Sequence, residues 1–111
     1  MGTYRGRLDI IADILNVASR NAKKTQIMYQ ANLSYRVLQR YLAEIVDAQL
    51  IALEDSKQNY SLTSKGREFL DAYEKYSKTS KHVEKRLNDV AMKRRALEEL
   101  CSDEQLPGNA P

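Results

Sequence analysis

Hydrophobic and polar positions follow two different rhythms along the chain, which predict several helices and one short hairpin. Apolar residues return every three or four positions in residues 8–18, 26–30, 34–48 and 63–101, which is typical of helices with one buried face. In residues 50–62, two short apolar runs flank a polar tip, as in a pair of antiparallel strands. The chain is therefore predicted to be mainly α, with one small β-hairpin.

The second and third predicted helices are joined by only three residues, 31–33, which is the arrangement of a helix-turn-helix. Thr25 and Ser34 each precede a helical run, so their hydroxyl groups are predicted to cap it. Asn32 tolerates the left-handed backbone that so sharp a turn needs. The later helix of the pair is then the predicted recognition helix.

Outward-facing side chains of the recognition helix can reach the phosphates and base edges of a duplex. Arg36 or Arg40 suits guanine and Gln39 suits adenine, while phosphate contact is an equally good interpretation of each. Tyr35 can instead pack on the preceding helix. Together with polar residues at the entrance to the motif and at the hairpin tip, the candidate DNA-contacting residues are Lys23, Lys24, Gln26, Ser34, Tyr35, Arg36, Gln39, Arg40, Lys57, Gln58 and Asn59.

The predicted hairpin has strands over residues 50–54 and 60–62. Its polar tip, residues 55–59, offers Lys57 to a groove or a phosphate, and a hairpin that contacts nothing is an equal interpretation. Residues 22–24 predict a very short extra strand beside it. Two short strands directly after a helix-turn-helix form what is called a wing.

Basic charge is concentrated around the helix pair. The chain carries 18 Lys and Arg against 15 Asp and Glu, a net charge of +3. Between Asp13 and Glu44 no acidic residue occurs, although the basic residues Arg20, Lys23, Lys24, Arg36 and Arg40 lie there. An acid-free window that coincides with the helix pair predicts a nucleic-acid-binding surface, and the alternative is a merely solvated basic face.

Residues 63–101 predict one long helix, which contains no proline and at about 1.5 Å per residue reaches about 58 Å. Its apolar stripe advances alternately by four and three residues, a heptad repeat that predicts a two-stranded coiled coil with a second copy of the chain. The alternative is one amphipathic helix folded back on its own domain. The stripe consists of Phe69, Tyr73, Tyr76, Ser80, Val83, Leu87, Val90, Arg94, Leu97 and Cys101.

The polar members of this stripe favour an antiparallel pair centred near Lys85. Antiparallel pairing sets Arg94 against Tyr76 as a cation–π pair, whereas parallel pairing sets Arg94 against its own copy, a costly unpaired charge. The flanking residues favour the parallel pair, because the antiparallel one brings Glu84 near Glu84 and Arg86 near Arg86. Exposed ion pairs are worth only about 0–1 kcal/mol each. The cost of the unpaired Arg94 in the stripe outweighs them, so the antiparallel pair is predicted.

The remaining residues do not predict an enzyme or a metalloprotein. Cys101 and His82 are the only residues of their types, too few for an internal disulfide or a zinc site. The sequence has no Gly-rich phosphate loop and no nucleophile–His–acid set, so we expect no catalysis, no cofactor and no small-molecule ligand. It also shows neither a signal peptide nor the apolar run of about 20 residues that spans a bilayer, which predicts a cytoplasmic, nucleoid-associated protein.

The order of these elements resembles that of winged helix-turn-helix proteins. The resemblance covers residues 8–70 and rests on the segment 33–53, with its Tyr41-Leu42 pair, and on LTSKGREFL at 62–70, which looks like the family's junction between wing and next helix. With its long last helix, the chain is also similar to small archaeal winged-helix proteins that dimerise through a C-terminal coiled coil. The resemblance implies binding of double-stranded DNA by a transcriptional regulator or an abundant chromosomal protein, and no catalysis.

Together, these patterns predict a winged helix-turn-helix DNA-binding domain over residues 1–62, a dimerisation helix over 63–101 and a disordered tail over 102–111. The predicted function is a homodimer that places helix 34–48 in the major groove of double-stranded DNA, with the wing tip 55–59 on the backbone or in the minor groove. The alternative is a winged-helix module that docks a protein partner in a transcription or replication assembly.

Overall fold

The computed structural model describes residues 5–102. Its elements in chain order are α1 (Arg7–Ala18), β1 (Ala22–Lys23), α2 (Lys24–Gln30), α3 (Tyr35–Asp47), β2 (Ile51–Glu54), β3 (Asn59–Leu62) and α4 (Ser64–Ser102). This architecture confirms the prediction of a mainly α chain with a small β-wing and a long C-terminal helix. The tail predicted over residues 102–111 lies outside the described residues, except for Ser102, which ends α4.

The chain forms two compact units, of which the first ends at Lys75 and the second begins at Tyr76. We call residues 5–75 the winged unit and residues 76–102 the C-terminal unit. The sequence analysis predicted a winged domain that ends at residue 62. In the structure, the beginning of α4, up to Lys75, also belongs to the winged unit.

The core of the winged unit is built from the apolar faces of α1, α2 and α3, closed by β2 and the start of α4. Side chains from all of these elements are buried in one cluster, and among the described residues no polar or charged side chain is buried. Each fully buried Val, Leu or Ile side chain contributes about 1.5–3 kcal/mol, so this cluster is the main source of stability. The largest completely buried members are Ile14, Leu15, Ile27, Leu38, Ile45 and Ile51.

The three strands form one antiparallel sheet in the order β1-β3-β2. Residue Ala22 pairs with Tyr60, which itself lies opposite Leu53 on the other side. The very short strand predicted beside the wing is thus confirmed, but it ends at Lys23, because Lys24 already begins α2.

The capping prediction for α2 is wrong, whereas that for α3 is confirmed. Lys23 occupies the N-cap position of α2 with an extended backbone and no side-chain cap, because β1 runs directly into the helix and leaves no loop for Thr25. The Ser34 hydroxyl accepts a hydrogen bond from the backbone N–H of Val37 at 3.2 Å, which satisfies one of the free donors at the start of α3.

Two helices are followed by sharp turns in which one residue has a positive φ angle. Asn32, in the turn after α2, has φ 56°, as predicted from its tolerance of the left-handed region. Gln49 has φ 66° directly after α3, at a position where glycine is the usual residue. Asn21 and Gln58 also have positive φ, which was not predicted from the sequence.

The junction between wing and α4 is held by close packing around Gly66. A Cβ at Gly66 would lie 2.1 Å from the carbonyl oxygen of Leu50 and 2.6 Å from Cδ1 of Leu62, so only glycine fits. The Thr63 hydroxyl accepts from the Gly66 N–H at 2.9 Å and donates to the carbonyl oxygen of Gln49 at 2.7 Å. The phrase LTSKGREFL therefore forms a structural junction, in which Thr63 and Gly66 serve the backbone.

The C-terminal unit is a single stretch of helix. None of its residues 76–102 is buried. Within the described range, no helix is both long enough and apolar enough to cross a membrane.

Candidate nucleic-acid interface

The first half of α3 presents a polar face that the rest of the winged unit leaves uncovered. The apolar residues Leu38, Leu42 and Ile45 recur at helical spacing and are buried, which fixes the rotation of the helix. As a consequence, the predicted contact residues on the other faces of the helix are turned outward. Those outward residues are Tyr35, which is 58% exposed, Arg36, Gln39 and Arg40.

Arg5 holds the turn of the helix-turn-helix in place. Its Nη1 donates to the carbonyl oxygen of Ala31 at 2.7 Å and to Oδ2 of Asp13 at 2.8 Å, and its Nη2 donates to the carbonyl oxygen of Asn32 at 2.9 Å. One guanidinium therefore joins α1 to the carbonyl groups of the turn that directly follows α2. This role of Arg5 was not predicted from the sequence, because its contacts with the turn span 26 or more positions and follow no local pattern.

Lys24 links the start of α2 to the recognition face of α3. Its Nζ donates to Oε1 of Gln39 and lies 3.3 Å from the hydroxyl oxygen of Tyr35. The same ammonium lies 4.7 Å from the centre of the Tyr35 ring, within the range of a cation–π contact. The structure thus brings together three predicted contact residues, and Tyr35 packs on α2 while remaining more than half exposed.

Several cations around this face have no acidic partner. Arg36 and Lys23 are exposed and form no ion pair with any described residue. Arg40 lies over the ring of Tyr41, with 5.9 Å from its guanidinium carbon to the ring centre, and Arg20 donates to Oε1 of Gln30 at 3.2 Å. The acid-free window therefore produces a surface whose positive charge is not neutralised within the winged unit.

The wing tip is less basic than the recognition face. Lys57 is exposed at the tip, but Glu54 and Asp55 stand beside it in sequence. The amide of Gln58 donates to the carbonyl oxygen of Asp55 at 2.9 Å and so serves the turn itself. Asn59 was predicted in the tip but belongs to β3, where it pairs with Lys23 of β1.

Gln26 and Ser34 complete the predicted contact set. Gln26 is exposed on the first turns of α2. Ser34 is exposed as well, but its hydroxyl oxygen already accepts from the backbone of α3. No group of three or more His, Cys, Asp or Glu within residues 5–102 could hold a metal ion.

A groove of about 570 Å³ lies between the second half of α3 and the wing. Its walls combine apolar and polar side chains, and Val46 and Leu53 are each about 40% exposed there. The groove was not predicted from the sequence, since it arises where a helix meets a sheet. It is lined by Gln39, Leu42, Ala43, Val46, Asp47, Gln49, Leu53 and Tyr60.

Most of the predicted dimerisation stripe is exposed on the C-terminal unit. Its large apolar side chains are between 50 and 65% exposed: Tyr76, Val83, Leu87, Val90 and Leu97. Ser80 and Cys101 are exposed as well. Arg94 forms an exposed ion pair with Glu98 of its own helix at 3.3 Å.

Tyr73, which belongs to the predicted dimerisation stripe, has contacts inside the winged unit. Its hydroxyl donates to Oδ1 of Asp9, and its ring stacks on Phe69 with 6.3 Å between ring centres. Tyr73 is half-buried against the core, so the stripe of the C-terminal unit begins at Tyr76.

The chain belongs to the winged helix-turn-helix family, whose family model matches residues 4–81. This assignment confirms the predicted resemblance and agrees with the expectation that the chain is not an enzyme.

Two archaeal proteins are similar to this chain. The structure of Sso10a-2, described as a DNA-binding protein from Sulfolobus solfataricus, matches with a TM-score of 0.74 at 24% identity, over 79% of this chain and 95% of that chain. At this identity the likeness shows the fold alone. An uncharacterized protein of Methanocaldococcus jannaschii is 37% identical over 71 residues, which are 63% of this chain and 33% of the relative. The chain thus spans about a third of that relative's length.

Proposed function

We propose that this chain is a homodimeric protein that binds double-stranded DNA, with α3 in the major groove. The observation that carries the proposal is the exposed, acid-free recognition face, on which Arg36, Gln39 and Arg40 point outward from a helix whose rotation the core fixes. Such a face combines donors for base edges with uncompensated positive charge for phosphates.

The backbone contacts are assigned to the residues that surround α3. Lys23 lies at the junction of β1 and α2 and pairs with Asn59 of the wing. The side chains of Lys23 and Asn59 can therefore approach the same DNA strand of a duplex. Gln26 and the Ser34 region offer further polar contacts at the starts of α2 and α3. We expect Lys57 and Gln58 at the wing tip to contribute less, because Glu54 and Asp55 adjoin them.

Family membership supports this function, and Sso10a-2, which shares the fold, is described as DNA-binding. A transcriptional regulator and an architectural chromosomal protein both fit the interface. Either role implies a cytoplasmic protein associated with the nucleoid.

The DNA interface is tested by replacing both Arg36 and Arg40 with Ala and measuring binding to a fluorescent duplex by anisotropy across a salt series. We expect at least ten-fold weaker binding, with a salt slope lower by about 0.9 for each phosphate that the variant no longer neutralises. The matched control replaces Arg67 and Lys75, two exposed cations of the winged unit outside the acid-free window, with Ala. Equally weakened binding in both variants would show that only net charge is sensed.

The proposed homodimer forms through the C-terminal unit. Five large apolar side chains recur along residues 76–97 at heptad spacing and remain at least half exposed, which is costly for a helix in water. A second copy of the same stripe would bury them.

Antiparallel pairing stays our proposal for this dimer. It places Arg94 against Tyr76 of the second copy, in line with the cation–π argument from the sequence. The ion pair of Arg94 with Glu98 within its own helix is exposed and weak, so it does not change this preference.

The dimer is tested by replacing Val83 and Leu87 with Asp, which puts charges into the stripe. We expect monomers by light scattering. The control replaces Asn88 and Met92 with Asp, two positions with the same four-residue spacing on other faces of the heptad. Dimers that survive the first change, or dissociate equally after the second, would count against the proposed stripe.

Orientation is tested with near-isosteric cysteines in a Cys101→Ser background. In an antiparallel pair Ser80 faces Val90, so neither Ser80→Cys nor Val90→Cys alone forms a disulfide, whereas a mixture of the two variants does. Parallel pairing predicts a disulfide in each variant alone, because each cysteine then faces its own copy. Non-reducing electrophoresis distinguishes the two.

A second candidate function is favoured by the groove between α3 and the wing. Val46 and Leu53, each about 40% exposed, line this groove, and a protein partner in a transcription or replication assembly would dock against them. Absence of DNA binding at low salt would move the assignment to this alternative.

A further inference from the structure

The hydrogen bond between Lys24 and Gln39 lies on the surface that we propose faces DNA. Lys24 is half-buried at the start of α2, and its Nζ donates to Oε1 of Gln39. The same ammonium lies 4.7 Å from the centre of the Tyr35 ring and 3.3 Å from the Tyr35 hydroxyl oxygen. One ammonium group therefore contacts both Gln39 and Tyr35.

This hydrogen bond fixes which end of the Gln39 amide faces outward. An ammonium group has three hydrogen-bond donors and no acceptor, so only the amide oxygen can face Lys24. The amide nitrogen then points away and presents its N–H groups. Gln39 thus acts as a donor at the recognition face, although a free glutamine offers both a donor and an acceptor.

Recognition of adenine by glutamine needs both ends of the amide. The oxygen accepts from N6 of adenine while the nitrogen donates to N7. Because Lys24 holds the amide oxygen on its own side, only the N–H groups of Gln39 point towards the duplex, and they complement acceptors, which are N7 and O6 of guanine and O4 of thymine. The neighbouring Arg36 and Arg40, three positions before and one after, are also donors without acceptors, and guanine offers the most acceptors in the major groove.

We infer that Lys24 is a specificity-determining residue, which holds Gln39 as a donor and thereby directs the recognition helix to guanine and away from adenine. This inference rests on the proposed function. It names a role for Lys24 beyond contact with phosphate, and it assigns guanine-containing duplexes as the preferred ligand.

The test is selection of bound duplexes from a randomised pool by the full chain and its variants, with base frequencies read by sequencing. We expect the wild type to enrich guanine at the position that Gln39 reads. Lys24→Met should raise adenine relative to guanine there by about ten-fold, because the freed amide can then bind adenine through both of its ends. Lys24→Arg keeps a donor and should retain the guanine preference.

Two further variants separate base reading from charge and folding. Lys23→Met removes the adjacent cation and should weaken binding without changing base frequencies. Gln39→Ala should abolish the preference at the same position that Lys24→Met alters. Thermal unfolding of each variant, followed by circular dichroism, verifies that the fold is retained.

Three results would overturn the inference: adenine enriched by the wild type, no base preference in the wild type, or unchanged base frequencies in Lys24→Met. Each of these leaves DNA binding itself intact. Failure of the wild type to bind any duplex at low salt is a separate outcome, which would overturn the proposed function together with the inference.

Discussion

In the winged unit, Ile14, Leu38 and Ile45 are completely buried, whereas in the C-terminal unit Leu87 and Leu97 remain more than half exposed. Both sets recur at helical spacing, so the local pattern is the same. The difference is that α1, α2 and α3 cover one another, whereas the C-terminal unit is one helix whose apolar side chains stay exposed. An apolar stripe thus predicts that something will be buried, but not whether the cover comes from the same chain.

The largest expected effect tests this contrast directly. Leu38→Ala should lower the free energy of unfolding of the winged unit by about 2–5 kcal/mol, since it leaves a cavity in a closed core. Leu87→Ala removes the same atoms from an exposed site, so it should leave the winged unit unchanged and weaken only self-association. Hydrogen exchange read peptide by peptide distinguishes the units, and equal deprotection of the winged unit by both changes would contradict the contrast.

The next effect concerns the close approach at the wing junction. Gly66→Ala should destabilise the winged unit by about 3 kcal/mol, because the new Cβ meets the backbone oxygen of Leu50, which cannot move aside cheaply. At Gly6 the nearest atom would be Oδ2 of Asp9 at 3.7 Å, an ordinary contact. Gly6→Ala is therefore the control and should cost about 1 kcal/mol or less. Comparable melting temperatures for the two variants would show that the junction adapts.

A smaller effect is expected at the turn of the helix pair. Arg5→Met should lower the free energy of unfolding by about 1–3 kcal/mol, because the carbonyl oxygens of Ala31 and Asn32 and the carboxylate of Asp13 are deprived of a charged donor. The stability of Arg5→Lys should lie between those of the wild type and Arg5→Met, since an ammonium keeps the charge but cannot span all three acceptors. Denaturant titration measures the series, and a lysine variant as stable as the wild type would exclude this geometric explanation.

The smallest expected effect has the opposite sign. Gln49→Gly should stabilise the winged unit by up to about 1 kcal/mol, because glycine adopts a φ of 66° without the steric cost that a side chain brings. Gln49→Ala keeps the Cβ and should not stabilise. A glycine variant that melts below the wild type would mean that the Gln49 side chain has interactions worth more than the backbone strain.

Much of the fold was predictable because its signals are local. Ser34 and Asn32 were assigned their roles from short-range rules of capping and turn geometry, and both roles are confirmed. Thr25 failed as a cap for a non-local reason, since pairing of β1 with β3 decides where α2 begins. The candidate contact residues remain predictions, but their exposure follows from the apolar spacing of α3.

The least predictable features join residues far apart in the sequence. Arg5 reaches Ala31 and Asn32, and Lys24 reaches Gln39, across segments that carry no hint of these hydrogen bonds. The orientation of the Gln39 amide follows from such a hydrogen bond, so the adenine preference read from the residue type alone gave way to a proposed guanine preference.

By itself, the sequence determined the order of helices and strands, the acid-free basic window and the heptad stripe, because spacing and charge are properties of the chain. Only the tertiary structure decided that Gly66 must lack a side chain, that Tyr73 packs within the winged unit and that Lys24 holds Gln39. These contacts depend on distances between helices and strands, and those distances are fixed only when the elements pack into one core.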